Sequence, residues 1–176
     1  MSVSRPEFRE AMARLGAAVS IISTDGPAGR AGLTASAVCS VTDDPATLLV
    51  CINRNSTQIG AIKANGVLCV NVLTAEQKEI SNVFAGLTGA ATAEQRFRAG
   101  RWSRLETGAP VLDGSAVSLD CAIEEVLEKG THSVFFAQIR GIRLGEHGPG
   151  LIWWGREYHP IGREHGPSGS RSGGST

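Results

Sequence analysis

The residues best suited to chemistry fall in two neighbouring segments, Gly32-Leu-Thr-Ala-Ser-Ala-Val-Cys-Ser-Val-Thr-Asp-Asp-Pro45 and Leu48-Leu-Val-Cys-Ile-Asn-Arg-Asn-Ser-Thr57. Small side chains dominate the first. A strand carrying Thr34, Ala35, Ser36 and Ala37 has so little bulk that a flat ligand can approach the backbone and take hydrogen bonds from main-chain N–H groups. At the end of the next strand, Asn53, Ser56 and Thr57 surround an expected helix start, where free N–H groups and the helix dipole favour an anion such as a phosphate. Arg54 could add charge. On their own, the same residues also suit an ordinary Ser/Thr-rich strand pair with a common helix cap, and both readings stand at this level.

Other chemically capable residues divide in the same way. His132 is either a ligand-facing histidine or a strand-end histidine satisfied by local hydrogen bonds. Tyr158-His159 either line the mouth of a site or anchor the last strand, and Trp153 and Trp154 read as packing residues. Asp43-Asp44 precede Pro45 and read as an exposed turn, so they receive no chemistry. Cys39, Cys51, Cys69 and Cys121 are widely spaced, each in a β-like run without a C-x-x-C pair, which favours small buried thiols over a disulfide framework or a zinc site. The four histidines lie far from those cysteines in sequence and form no H-E-x-x-H arrangement, so no metal is expected.

The elements that must position these residues begin with a helix. Ser4 and Glu7 form a capping-box pair, and Phe8, Ala11, Met12 and Leu15 share one face, which is expected against the core. Ala17 to Thr24 reads as a strand ending at Asp25-Gly26-Pro27, Ala31 to Thr42 as a second and Thr47 to Asn53 as a third, together an antiparallel meander. Ser56 or Thr57 is the expected N-cap of a short helix anchored by Ile59 and Ile62 and stopped by Gly66. A strand over Val67 to Val72 follows, then a helix opened by the capping box Thr74/Gln77. Gly86 to Gly100 reads as a loop with a helical turn near Glu94 to Phe97. Val117 to Glu124 alternates as a strand with a bulge at Glu124-Glu125, Lys129-Gly130 turns into Ser133 to Leu144, and Leu151 to Trp154 closes the folded part. The expectation is a mainly β protein with short helices in one domain, residues 1–161, built as a closed or partly closed antiparallel barrel. Residues 162–176 read as a flexible Gly- and Ser-rich tail.

Composition removes several function classes. Among 176 residues, 17 Lys and Arg balance 17 Asp and Glu, so the electrostatic attraction that dominates nucleic-acid binding is missing. Apolar runs such as Ala17 to Ile22 fall far short of the roughly 20 residues that span a bilayer. Arg5, Glu7, Arg9, Glu10 and Arg14 interrupt any signal-peptide pattern, which leaves the cytoplasm as the expected location.

With these residues in view, the chain resembles the flavin reductase family that supplies two-component flavin-dependent monooxygenases. The segments Gly32 to Pro45 and Leu48 to Thr57 look like its flavin-binding signature. Phe84-Ala85-Gly86, Arg96-Phe97, Pro110-Val-Leu112, Leu119-Asp-Cys121 and Gly130-Thr-His132 match further family positions in the same order. Within the family the resemblance is strongest to the NADH-dependent FMN reductases of pyrimidine (uracil) degradation, through Met12, Gly16-Ala-Ala18, Thr24 to Arg30 and Thr34 to Thr42. Reductases of 4-hydroxyphenylacetate hydroxylases and corrin reductases are broader neighbours.

The resemblance implies a split β-barrel, a Greek-key-like antiparallel fold that binds FMN as a homodimer, with FAD as the alternative flavin and NADH or NADPH as reductant. It implies that Thr34, Ala35, Ser36 and Ala37 lie along the isoalloxazine. Ser40, Cys51, Ile52 and Asn53 would then lie near the ribityl chain and Ser56 and Thr57 near the phosphate, with Phe84, Ala85, Gly86, Arg96 and Tyr158 bordering the site. His132 is carried over as the residue that orients or protects the nicotinamide. Many relatives have Gly-Asp-His where this chain has Gly130-Thr131-His132, so an acidic group is missing. The implied partner is a flavin-dependent monooxygenase served by reduced-flavin transfer. Two rivals share the residues: a carrier that retains its flavin and never oxidises a nicotinamide, and a β-barrel module binding some other ligand without redox activity.

Overall fold

The computed structural model describes residues 2–146 and 148–162. Beyond Gly162, the expected tail lies outside the described residues. Most elements are strands, and the helices are short. No helix among the described residues is long and apolar enough to cross a membrane.

Helix α1 (Arg5–Ala13) opens on the expected capping box, with the Ser4 hydroxyl accepting from the Glu7 amide and the Glu7 carboxylate accepting from the Ser4 amide. Its packing differs from expectation. Phe8, Met12 and Leu15 are 56%, 46% and 64% exposed, so the apolar stripe faces outward rather than onto this chain's core. The helix is held instead by polar contacts to the far end of the chain: Gly155 N donates to Ala13 O at 2.7 Å, Trp154 Nε1 to Arg14 O at 3.2 Å, and Arg156 pairs with Glu10 at 2.9 Å.

The first expected strand is two, β1 (Ala17–Ala18) and β2 (Ser20–Thr24), which belong to different sheets. The second expected strand is also two, β3 (Ala31–Ala35) and β4 (Val38–Asp43), and this overturns the simple meander. With β5 (Ala46–Asn53), β6 (Val67–Val72), β9 (Val117–Lys129) and β10 (His132–Leu144), the main sheet runs β3-β2-β6-β9-β10-β5-β4. Its pairings are antiparallel, and β3 and β4 are its two opposite edges. Only Ser36 and Ala37 connect them, and three Cα steps span at most about 11 Å, so the sheet rolls until its edges approach. No ladder joins β3 to β4 in that sheet. Small residues let the chain leave one edge and enter the other without a bulky side chain in the gap.

The rolled sheet encloses Ile22, Leu48, Val50, Ile52, Leu68, Val70, Cys121, Phe135 and Ala137, with Ile62 of α2 (Ile59–Asn65) in the same cluster. Gly66 ends α2 in the left-handed region at φ 68°, as expected of a glycine stop. A second cluster lies outside the sheet, where Val19, Ile21, Leu73 and Leu151 meet Phe84 of α3 (Lys78–Phe84) and Phe97 of α4 (Ala93–Phe97). The Thr74/Gln77 capping box is present and opens a 3₁₀ turn, Ala75–Gln77, ahead of α3. A small three-stranded sheet joins β1, β11 (Gly150–Trp154) and β12 (Glu157–Ile161).

The bulge sits where the phase break predicts it. Phe136 pairs with Glu125 and Ala137 with Ile123, so Glu124 has no cross-strand partner. The polar phase of β9 is buried, however, with Ser118 at 1% and Asp120 at 0% exposure. A hairpin absent from the sequence expectation, β7 (Trp102–Arg104) with β8 (Pro110–Leu112), explains the burial. Asn71, fully buried, donates to Ile21 O and Ser23 Oγ and accepts from Leu112 N at 2.8 Å and Ser118 Oγ at 3.0 Å, fastening β8 to the sheet. Asp120 accepts from Thr107 N at 2.7 Å and from the Thr107 hydroxyl.

Candidate functional site

The two-residue link between the sheet edges lies in the wall of a cavity of about 550 Å3. Leu33, Thr34 and Ala35 of β3, the link residues Ser36 and Ala37, and Cys51, Ile52 and Asn53 of β5 line it. Edge strands leave main-chain groups on their outer side unused by the ladder, and β3 contributes such an edge here. Thr34 Oγ1 donates to Ser81 O at 2.7 Å, which ties this strand to α3. Ser81 Oγ in turn lies 2.9 Å from the Tyr158 hydroxyl.

Asn55, Ser56, Thr57 and Gln58 line another part of the cavity. Asn53 organises their turn: its side-chain oxygen accepts from Asn55 N and its carbonyl from Ser56 N, both at 2.9 Å. The turn uses more residues than expected, which shifts the N-cap of α2 to Gln58, without a side-chain capping bond. Ser56 and Thr57 are therefore not the cap. The Ser56 hydroxyl accepts from Gln58 N at 3.3 Å, and Thr57 Oγ1 accepts from Gln58 Nε2 at 2.8 Å.

Phe84, Ala85 and Arg96 complete the lining. Arg96 is the single charged residue in it among the described residues, held by hydrogen bonds from its guanidinium to Ala90 O at 3.1 Å and Gly32 O at 3.4 Å. Burial pushes the Cys51 thiol above its ordinary pKa, so it stays protonated near neutral pH. Among the described residues the cavity thus offers backbone groups, hydroxyls, amides and one cation, and no carboxylate or histidine.

Of the residues singled out in the sequence, Thr34, Ala35, Ser36, Ala37, Cys51, Ile52, Asn53, Ser56, Thr57, Phe84, Ala85 and Arg96 meet in this cavity. Ser40, Gly86, Tyr158, His132 and Arg54 do not line it. Ser40 lies exposed on β4, opposite Leu48. Gly86 follows the end of α3 with φ 78°. Tyr158 lines an adjoining hollow of about 220 Å3 with Trp153 and Leu87, which shares Thr34, Ala35, Ser36 and Ala85 with the main cavity. His132 begins β10 half-buried, directly across from Asn53, with Nδ1 2.9 Å from the Thr131 hydroxyl. Arg54 turns its guanidinium to Glu128 and the Gly130 carbonyl. Sequence reasoning missed Leu33, Asn55 and Gln58 as lining residues. Asn55 carried a signal, since an Asn two residues after an Asn at a strand end suits a tight Asx-type turn.

A larger surface hollow, about 980 Å3, lies beside α1, walled by Arg5, Arg9, Arg14 and Arg156 with Glu7 and Glu10. Those side chains are solvent-facing, and two of the arginines already pair with Glu10. The thiols divide in contrast to the expectation of four buried ones: Cys69 and Cys121 are buried and Cys39 is exposed. Burial drives the Cys121 thiol up to about 12, and Cys69 is raised as well.

A family model described as a flavin reductase like domain matches residues 12–162, nearly all of the described chain. The chain belongs to the flavin reductase like family. The FMN reductase (NADH) RutF of Ancylobacter novellus is similar to it at 52% identity over 160 residues, covering 91% of this chain and 87% of that protein. The protein of the same name from Variovorax paradoxus is 54% identical over 157 residues, covering 89% and 86%. Among solved structures, a candidate flavin reductase of Haemophilus somnus superposes with a TM-score of 0.86 at 43% identity, covering 90% of this chain and 100% of that one. In this flavin reductase like chain, residues 33–37, 51–53 and 55–57 of the two segments wall the cavity just described.

Proposed function

We propose that this chain is an NADH-dependent FMN reductase that passes reduced flavin to a flavin-dependent monooxygenase, with pyrimidine degradation as its pathway. The observation that carries the reading is a ligand-sized cavity walled by Thr34 to Ala37, by Asn53, Ser56 and Thr57 of the turn after β5, and by the cation Arg96. Short side chains suit a flat tricyclic ring, and hydroxyls, amides and one positive charge suit a phosphorylated tail. The residues therefore fit FMN. The resemblance to reductases that serve two-component monooxygenases supports the choice of recipient.

Bound there, FMN supplies a ring that accepts hydride from NADH. The protein's contribution is orientation and preorganised polarity. Backbone donors near Thr34 to Ala37 would face the ring and favour negative charge on it, and Arg96, Ser56 and Thr57 would hold the phosphate. Among the described residues the lining holds no carboxylate or histidine, and burial keeps the Cys51 thiol protonated near neutral pH. His132, one strand away across from Asn53, orients the nicotinamide.

The reading extends to a split β-barrel spanning residues 1–161 and to a cytoplasmic homodimer. Two-residue linkage of the sheet edges supports the first. The outward apolar stripe of α1 and the exposure of Ile142 at 58% and Leu144 at 78% support the second, since a partner copy would cover them. An anaerobic NADH titration with FMN and with FAD tests the activity. Rapid reduction followed by release of free reduced FMN is expected. A retained flavin inert to NADH would instead identify a carrier, and no uptake of either flavin would exclude the reading.

A further inference from the structure

We propose that Glu128 is a positioning residue for the phosphate end of the cavity, because its one carboxylate joins the turn after β5, helix α2 and the tip of the β9–β10 hairpin. The inference rests on the FMN reading above and assigns a role to a residue that does not itself line the cavity.

The contacts come from three elements. Glu128 Oε2 lies 3.0 Å from Arg54 Nε in the turn, and Oε1 accepts from Lys63 Nζ of α2 at 2.5 Å. The hydroxyl of Ser133 on β10 lies 3.0 Å from each carboxylate oxygen. Ser133 is fully buried, so Glu128 also satisfies a hydroxyl with no access to water. Arg54 extends the bracing, with its guanidinium donating to Gly130 O at 3.3 Å and its amide to Thr131 O at 2.9 Å. The hydrogen bond from Lys63 holds the Glu128 carboxyl below its ordinary pKa, so the bracing is fully formed at neutral pH.

A single exposed ion pair contributes little, but this one carboxylate ties three segments together at once. The turn it braces carries Asn53, Ser56 and Thr57, and the hairpin tip carries His132. Two consequences of removing the charge oppose each other. Loss of bracing lets the turn move and weakens phosphate binding, whereas release of Arg54 and Lys63 adds free cations near the phosphate and strengthens it. The geometry favours the first, because the Arg54 guanidinium stays tied to Gly130 O and is not set free.

The test compares wild type with Glu128→Gln and Arg54→Gln, using quenching of flavin fluorescence by FMN or riboflavin, melting temperature, and steady-state kinetics. Glu128→Gln is expected to raise the FMN Kd about tenfold and the riboflavin Kd less than about threefold. The apparent KM for FMN should rise in step while kcat stays within about twofold. Arg54→Gln should reproduce the effect, and the double variant should add little to either. Unchanged or tighter FMN binding in Glu128→Gln, or equal weakening of FMN and riboflavin, overturns the positioning role. Failure of wild type to quench either flavin overturns the FMN reading itself, and this role with it.

Discussion

A Cβ placed on Gly32 would stand 2.8 Å from Cε1 of Phe84, closer than real Cβ atoms approach. The contact joins strand β3, which walls the cavity, to α3 and to the aromatic group in which Phe84 meets Phe97 edge-on at 5.1 Å. Gly32 is thus required by close approach and not by an unusual backbone angle. Gly32→Ala is expected to destabilise the fold by about 1–3 kcal/mol through overpacking and to displace the Phe84 ring. Urea unfolding checks the first effect. Weaker FMN binding checks the second, because Phe84 lines the cavity.

Among the described residues Arg96 carries the only charge in the cavity lining, and its guanidinium is held by carbonyls rather than by a carboxylate. Its charge is therefore available to an anionic ligand. Arg96→Ala is expected to weaken FMN binding by about 1.5–3 kcal/mol and riboflavin binding much less. Fluorescence titration with the two flavins measures the difference. Equal losses for both would assign Arg96 to packing against β3 instead.

Asn71 makes hydrogen bonds with both ends of its amide inside a fully buried site. Asn71→Ala would leave Leu112 N and the Ser118 hydroxyl without their partner, at a cost of about 2–4 kcal/mol. Urea unfolding should record that loss. Amide exchange should quicken first at Leu112, because that bond holds β8 to the sheet.

These residues show what could be read from the chain and what could not. The capping boxes at Ser4/Glu7 and Thr74/Gln77, the glycine stop at Gly66 and the bulge at Glu124 are local events, written within a few residues. Most of the cavity lining was legible because two adjacent segments supply it. The break at Ser36-Ala37 was hidden, since small residues suit a continuous strand as well as a link between two sheet edges. Hairpin β7–β8 was hidden because its three-residue strands depend on Asn71, far away in sequence. The α1 stripe was legible as a period, but periodicity does not say which surface will cover it.

Acid should loosen α1 before the rest. The hydrogen bond from Ser4 lowers the Glu7 pKa from its ordinary 4.5, and that from Arg156 lowers Glu10 from the same value. For a carboxyl lowered in the folded state, the stabilisation is whole above the unfolded value and is lost as pH falls through the folded value. Protection of the Gly155 amide, which donates to Ala13 O, is expected to fall below pH 4.5 after correction for intrinsic exchange. Glu10→Gln should show the weaker protection already at neutral pH.

His132 lies outside the cavity lining yet faces Asn53, which is inside it, across one ladder position of β10 and β5. Directly opposed residues in an antiparallel pair have side chains on the same face, so a ligand extending beyond Asn53 reaches His132 next. The Thr131 hydroxyl at Nδ1 holds the ring and leaves Nε2 for a second partner. A nicotinamide-orienting role predicts that His132→Ala raises the apparent KM for NADH roughly tenfold at saturating FMN while leaving the FMN Kd within about twofold. His132→Gln, which retains a hydrogen-bonding side chain, should recover part of the loss. If turnover and the apparent NADH affinity are both unchanged in His132→Ala, the histidine only closes the hairpin, and the nicotinamide must be oriented by the adjoining hollow at Tyr158 and Trp153.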